Sequence, residues 1–274
     1  MLAADRLSRL AMTSDPGQTG WAQLCDARLF TGGGMSIYAI GDIHGHLDQL
    51  QAAHQRIRKD GGPDAPIVHV GDLMDRGPES RGVVDYLMTG QAEGRPWIVV
   101  RGNHDRFLPK FLSDKDWIDP MLSGGAHWLD HPGLGAVATL ASYGVDSDQP
   151  RDEVWAQARA AVPEDHARFL SSLPLYYLHP LALFVHAGVR PGVGLRDQAE
   201  DDLLWIRKGF LESRDDFGPL VVHGHTALET AHHHGNRLNI DGGAGYGRPL
   251  CAVVIDQNRA HLLTEEGRVP LQPE

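Results

Sequence analysis

The stretch Ser36-Ile37-Tyr38-Ala39-Ile40-Gly41-Asp42-Ile43-His44-Gly45 decides how the chain is read. A short apolar run reads as a buried strand, and a glycine, a carboxylate and an imidazole follow it at once. The pattern returns twice: Ile67-Val68-His69-Val70 runs into Gly71-Asp72-Leu73-Met74-Asp75-Arg76-Gly77, and Trp97-Ile98-Val99-Val100 runs into Arg101-Gly102-Asn103-His104-Asp105. Between these strands the apolar period becomes helical. Leu47, Leu50, His54 and Ile57 share one face, ended by Gly61-Gly62-Pro63. Val83, Val84, Leu87 and Met88 share another, with Pro78 expected at the first helical position and Gly90 as the stop. A strand-helix-strand-helix-strand rhythm implies a mostly parallel sheet, in which ligands gather beyond the C-terminal strand ends. Asp42, Asp72 and Asn103 stand 30 and 31 residues apart, one repeat unit each, so their loops are expected side by side.

Working outward, a helix is expected at residues 106–112, with Pro109 near its first turn, where proline does least harm. Gly124-Gly125, Pro132-Gly133 and Tyr143-Gly144 then break the chain up, and helices follow at 152–161 and 163–172. Residues 183–186, 220–223, 237–240, 251–255 and 261–264 read as strands with few helices between them, which predicts a second, mixed or antiparallel sheet packed on the first. Two of these strands also end in polar ligands, His186-Ala187-Gly188 and His223-Gly224-His225-Thr226.

Composition narrows the chemistry. The 274 residues suffice for one or two domains, and no apolar run approaches the roughly 20 residues a membrane span needs. With 25 basic against 36 acidic residues, the net charge of −11 supplies no field to gather nucleic acid, so an anionic substrate must meet a local positive cluster. Cys25 and Cys251 could form at most one bridge, and a reducing cytoplasm is expected. Sixteen histidines are many for this length, and imidazole is both the commonest metal ligand and a proton carrier near pH 7. Residues 1–34 are broken by Asp15-Pro16-Gly17 and Thr31-Gly32-Gly33-Gly34, and Asp5 and Arg6 interrupt any secretory apolar run. They read as an extension ahead of a catalytic domain at 35–274, with Met35 a candidate start.

Carboxylates, an amide and imidazoles converging from five strand ends, without thiolates, suit Mn²⁺, Fe or Zn²⁺ rather than a structural zinc site. The set is large enough for two ions that share a carboxylate and a hydroxide and clamp the entering and leaving oxygens of a phosphoryl displacement. The motifs Gly41-Asp42-x-His44-Gly45, Gly71-Asp72-x-x-Asp75-Arg76-Gly77, Gly102-Asn103-His104-Asp105, His186 and Gly224-His225 resemble the phosphoprotein phosphatase branch of the calcineurin-like metallophosphoesterases, in particular its bacterial and phage, lambda phosphatase-like serine/threonine phosphatases. The resemblance spans about residues 36–250 and implies an α/β, four-layer αββα sandwich of two mixed sheets flanked by helices.

It further implies that Asp42, His44 and Asp72 bind one metal, and that Asp72, Asn103, His186 and His225 bind the second, with Mn²⁺ the expected activator. His104 matches the family's general acid and Asp75 the carboxylate that orients it, an arrangement that favours the charged, proton-donating imidazole. Arg76, Arg101 and Arg207 match arginines facing the phosphate. Asp105 stands where the family has glutamate. Asp75, usually lacking in symmetrical dinucleoside tetraphosphatases, favours phosphoserine and phosphothreonine in proteins as substrates. Two alternatives stay open: a dinucleoside polyphosphate or nucleotide hydrolase on the same scaffold, and a metal- or phosphopeptide-binding module without catalysis. Neither nucleic acid nor membrane is an expected partner.

Other residues read as structural. His46, His54 and His69 fit helix or strand interiors, and His232-His233-His234 a solvated loop. His223 is either a core residue or a partner that orients His225. Trp205 and Tyr246 read as packing residues before substrate platforms.

Overall fold

The computed structural model describes residues 36–257 and 259–274, so Cys25, Met35 and the expected extension at 1–34 lie outside the described residues. Strands β1 (Ser36–Ile40), β2 (Ile67–His69) and β3 (Trp97–Val99) pair in parallel, as the repeating units predict. On the other side of β1 lies β9 (Ala252–Asp256), followed by β10 (Arg259–Thr264) and β11 (Gly267–Leu271), all antiparallel. Of these, β9 and β10 were expected in the second sheet, and β11 was not expected as a strand. They return to the first because β1 has one edge open, and Ile40↔Ala252 through Ser36↔Asp256 fills it. The second sheet has the order β4-β5-β6-β8-β7, built from β4 (Tyr176–His179), β5 (Ala182–Val185), β6 (Leu220–His223), β7 (His232–His233) and β8 (Arg237–Asn239). It is mixed, with β5, β6 and β8 parallel and both edge strands antiparallel.

Alternation along β1 divides the core. Ile37 and Ala39, with Val68 and Val70, meet Phe184, Val222, Leu238 and Ile240 of the second sheet. Tyr38 and Ile40 point the other way and pack under α1 (Leu47–Gly61), α2 (Ser80–Ala92), α3 (Phe107–Ser113), α4 (Ala136–Ser142), α5 (Arg151–Ala161) and α6 (Glu164–Ser172). The outer face of the second sheet, Leu183, Val185 and Val221, is covered by α7 (Glu200–Trp205) and the segment carrying Phe210 and Phe217. The result is the expected four-layer αββα sandwich. Among the described residues no helix is long and apolar enough to cross a membrane.

Local differences have local causes. Helix α2 starts at Ser80, so Pro78 sits in the preceding turn, and the helix continues through Gly90 to Ala92. Gly90 is required for another reason: a Cβ there would lie 1.8 Å from the Trp97 ring. Residues 232–233 form an edge strand instead of a solvated loop, because the C-terminal residue closes over them. Glu274 donates its N–H to the His233 carbonyl at 3.0 Å, and His232 Nε2 lies 3.1 Å from the Glu274 carboxylate.

His54 and His69 take the structural role expected of them. His69 Nδ1–H donates to the Ile98 carbonyl (3.0 Å), which leaves its Nε2 to accept from His54 Nε2–H (2.9 Å), while His54 Nδ1 accepts from the Tyr86 hydroxyl (3.3 Å). Burial drives His69 down to about 4, and burial together with the neighbouring imidazole drives His54 to about 2. Both rings are therefore neutral in the folded protein where an unfolded imidazole, with a pKa of about 6.5, already takes up a proton. Stability contributed by the pair is complete above about pH 6.5 and is lost as pH falls towards 4, by up to about 1.4 kcal/mol per pH unit for each ring. Thermal unfolding followed from pH 7 to pH 4 is expected to give a steeper fall in Tm for the wild type than for a His54→Gln/His69→Gln variant. Parallel slopes would contradict the neutral pair.

Candidate metal centre

The buried carboxylate of Asp72 is the hub. His44 Nε2 lies 3.5 Å from its Oδ2 and His186 Nε2 3.4 Å from its Oδ1, which also accepts the His104 N–H at 2.9 Å. Asn103 Oδ1 lies 2.9 Å from His186 Nε2 and 2.8 Å from His225 Nδ1, and Asp42 Oδ2 accepts the His225 N–H at 3.0 Å. Two clusters of donor atoms result, His44-Asp72-His104 and Asp72-His186-His225, each within 4.8 Å and sharing Asp72. All six expected ligands are buried.

Hydrogen bonds at the far side of two of the rings suit the cluster to a cation. His186 Nδ1–H donates to the Val70 carbonyl (2.9 Å) and His44 Nδ1–H to the Met74 carbonyl (2.8 Å). In the neutral rings the Nε2 lone pairs then face inward, and His186 meets a carbonyl oxygen of Asn103 and a carboxylate oxygen of Asp72, neither of which can donate. Asp42 Oδ1 and His225 Nε2 are buried without any partner. Such converging acceptors fit a divalent ion, whose charge would relieve them.

Electrostatics agree. Burial, then Asp241 and Asp72, push Asp42 well above the usual carboxylate range. Burial also acts to raise Asp72, but His186, His104, His44 and His225 around it outweigh burial and hold it below that range. Desolvation lowers His44, His186 and His225, keeping their imidazoles in the ligating form. Asp241, which was not among the expected ligands, is pushed up to about 6, mainly by burial. It follows β8 as directly as Asp42 follows β1, so the strand-end rule that found the other ligands points to it as well.

The backbone is bent to deliver these groups. Among the described residues six non-glycines have positive φ, and five belong to the site: His44 (46°), Asp72 (51°), Asp75 (72°), Arg76 (70°) and His225 (65°). Each such turn costs of order 1–3 kcal/mol and aims a side chain back across the sheet edge. Glycine admits the close approach: a Cβ on Gly224 would lie 1.9 Å from Asp42 Oδ1. Asp105 joins two of the loops, its oxygens accepting the Leu73 and Gly102 N–H groups at 2.8 Å each.

Beside the cluster, His104 Nδ1–H donates to Asp75 Oδ2 (2.7 Å), and Nε2 faces the His44 side. Asp75 is held from the section the sequence left unplaced. Trp128 Nε1–H donates to Oδ2 at 3.1 Å, the Thr139 hydroxyl to Oδ1 at 2.7 Å, and the Asp75 N–H reaches Thr139 Oγ1 at 2.9 Å and Ser80 Oγ at 3.1 Å. Nothing in the local pattern marks Trp128 or Thr139, because only the tertiary fold brings α4 to the loop after β2.

The three expected arginines differ in placement. Arg76 reaches His44 Nε2 (2.7 Å) and His104 Nε2 (3.1 Å), whereas Arg101 bonds Glu200 (3.3 Å) and the Ser171 carbonyl, away from the cluster. Arg207 backs onto the His225 carbonyl at 3.3 Å. His223 takes the core reading, edge-on to Phe210 with ring centroids 5.0 Å apart and bonded to the Gly224 carbonyl. Trp205 packs edge-on to His225. Tyr246 does not pack: it is 64% exposed, with the Arg76 guanidinium carbon 4.8 Å from its ring centre.

A sequence model of the calcineurin-like phosphoesterase family matches residues 35–242. The chain is 26% identical over 242 residues, covering 80% of itself and 89% of the relative, to an asymmetrical bis(5'-nucleosyl)-tetraphosphatase, PrpE, of Halalkalibacterium halodurans. Over 108 residues, 35% of this chain and 38% of the relative, it is 35% identical to a symmetrical bis(5'-nucleosyl)-tetraphosphatase of Thioalkalivibrio sulfidiphilus. The crystal structure of a cold-active protein-tyrosine phosphatase from a psychrophilic Shewanella superposes with a TM-score of 0.57 at 16% identity, covering 88% of this chain and 81% of that one, and so shares the fold.

Thr139→Val removes both a donor to the Asp75 carboxylate and an acceptor for its N–H. Leaving buried polar groups unsatisfied costs about 1–3 kcal/mol, so denaturant unfolding is expected to show a loss of that size, with activity reduced and bound metal unchanged. Thr139→Ser, which restores the hydroxyl, recovers most of both.

Proposed function

Because the chain belongs to the calcineurin-like phosphoesterase family and is a metal-dependent phosphoesterase, we propose that its substrates are dinucleoside polyphosphates, cleaved at a phosphoanhydride bond. The observation that carries this is the match over 89% of the length of a relative named for that activity. The phosphoserine and phosphothreonine expectation rested on Asp75. A carboxylate that orients an acidic imidazole serves any leaving oxygen, alkoxide or phosphate, so Asp75 does not choose between the substrates.

Asp42, His44 and Asp72 would hold one ion, and Asp72, Asn103, His186 and His225 the other; carboxylates, amide and imidazoles together suit Mn²⁺, Fe or Zn²⁺. When bound, the two ions supply Lewis-acid polarisation of the phosphoryl oxygens and a nucleophile active at neutral pH. The protein's own groups do the rest. Arg76, alone of the three arginines, bonds side chains of the cluster, and on parting from His44 and His104 it would offer its forked donors to the phosphate under attack. His104 is fixed by Asp75 through Nδ1–H; once its Nε2 parts from Arg76 and takes up a proton, it would give that proton to the leaving phosphate oxygen as the anhydride P–O bond breaks. Arg207 supports His225 from behind, and Arg101 joins the phosphate only on release from Glu200.

Incubation with Mn²⁺ and diadenosine tetraphosphate, beside a phosphothreonine peptide, is expected to release nucleotides from the first. Orthophosphate from the peptide, with the dinucleotide untouched, would overturn the reading. Asp72→Asn and His225→Ala are expected to lose metal and turnover together, as read by elemental analysis of the purified variants. His104→Asn keeps its metal while kcat falls by about 10²–10⁴-fold, the usual worth of a general acid. Loss of metal in that variant would make His104 a ligand instead.

A further inference from the structure

The rim loop after β8 holds an aromatic ring where a folded protein ordinarily hides one. Among the described residues the exposed large apolar side chains are Ile118, Met121, Val137, Tyr246 and Val269, and Tyr246 alone is aromatic. The loop beneath it is set firmly. Gly243 and Gly247 take φ of 83° and 79°, the Tyr246 N–H bonds the Gly243 carbonyl at 2.9 Å, and Arg248 Nε–H bonds the Gly242 carbonyl at 2.9 Å. A Cβ on Gly245 would lie 2.5 Å from the His44 ring, so the loop rests directly on a metal ligand. The Arg76 and Arg248 guanidinium carbons lie 4.8 Å and 5.8 Å from the Tyr246 ring centre, and neither arginine forms an ion pair with a carboxylate among the described residues.

We propose that Tyr246 and Arg248 form the subsite for the nucleoside-phosphate arm beyond the scissile phosphate, the Tyr246 ring stacking the base and the Arg248 guanidinium holding a phosphate that is not cleaved. The proposal rests on the dinucleoside polyphosphate reading and deepens it. A chain of net charge −11 can hold a polyphosphate only where cations are concentrated, and here two guanidinia, neither in an ion pair with a carboxylate among the described residues, lie beside an exposed aromatic ring. A substrate with one phosphate on Arg76 has its next groups within reach of that ring. The loop backbone that carries the ring is held by its own hydrogen bonds, so stacking need not order the loop. Every base presents a π-face, so the subsite selects a nucleoside over a small ester without selecting one base strongly.

Kinetics of the Mn²⁺-loaded wild type, Tyr246→Ala, Tyr246→Phe and Arg248→Gln on diadenosine tetraphosphate and on p-nitrophenyl phosphate test this. Base-aromatic stacking worth about 1–3 kcal/mol predicts a KM for the dinucleotide raised about tenfold in Tyr246→Ala and restored in Tyr246→Phe. Arg248→Gln raises it as well, and in both weakened variants the ratio of kcat/KM for dinucleotide over p-nitrophenyl phosphate falls. If the wild type cleaves the dinucleotide and Tyr246→Ala leaves that ratio unchanged, the subsite is refuted and the substrate reading stands. A wild type that cleaves p-nitrophenyl phosphate but not the dinucleotide overturns both.

Discussion

One buried carboxylate organises the site. Asp72 sits among four imidazoles and an amide oxygen, and most of the atoms turned towards it have lone pairs rather than protons to offer. Burial first, and then repulsion between the carboxylates, raises the proton affinity of the neighbouring Asp42 and Asp241. Hydrogen bonds to Val70 and Met74 keep His186 and His44 from turning a proton inward to relieve the crowding. The fold thus holds a cluster of acceptors that fits cations, with His104 and Arg76, the proposed acid and the proposed phosphate-binding arginine, arranged around it.

That arrangement has a backbone cost, and the sandwich bears it. Five left-handed non-glycine residues would tend to relax in an isolated loop. They persist because each follows a strand clamped between two layers, with Val70 and Val222 buried in the inter-sheet core just ahead of the turns that carry Asp72 and His225. Asp105 then ties the loop after β2 to the loop after β3 through two backbone N–H groups. Packing far from the metal cluster therefore fixes the angles at which its ligands emerge.

What could be read beforehand follows from the same division. Asp42, Asp72, Asn103, His186 and His225 were legible because a strand end is a local event: an apolar run stops and a glycine and a polar residue follow. The helices under β1, β2 and β3 were legible from their period. Three kinds of feature were not. The return of β9, β10 and β11 to the first sheet depends on which edge is open, a property of the assembled sheet. Gly90 and Pro78 carry ordinary end-of-helix signals, but Gly90 is needed for the Trp97 ring that crosses the helix. Trp128 and Thr139 lie in a section without period and meet Asp75 only through tertiary packing.

Tyr246 shows where local reading stops for a physical reason. An aromatic residue gains most by burial, so packing is the sound expectation for any one of them. Here the loop cannot fold inward. Gly245 is already pressed against the His44 ring, and Arg76, whose nitrogens are committed to His44, His104 and the Gly133 carbonyl, occupies the space next to it. The ring is left outside by the same crowding that builds the metal cluster. Chemistry in this fold is thus set by strand ends held in the core, whereas the surface that meets the rest of a substrate is set by loops that the core pushes out.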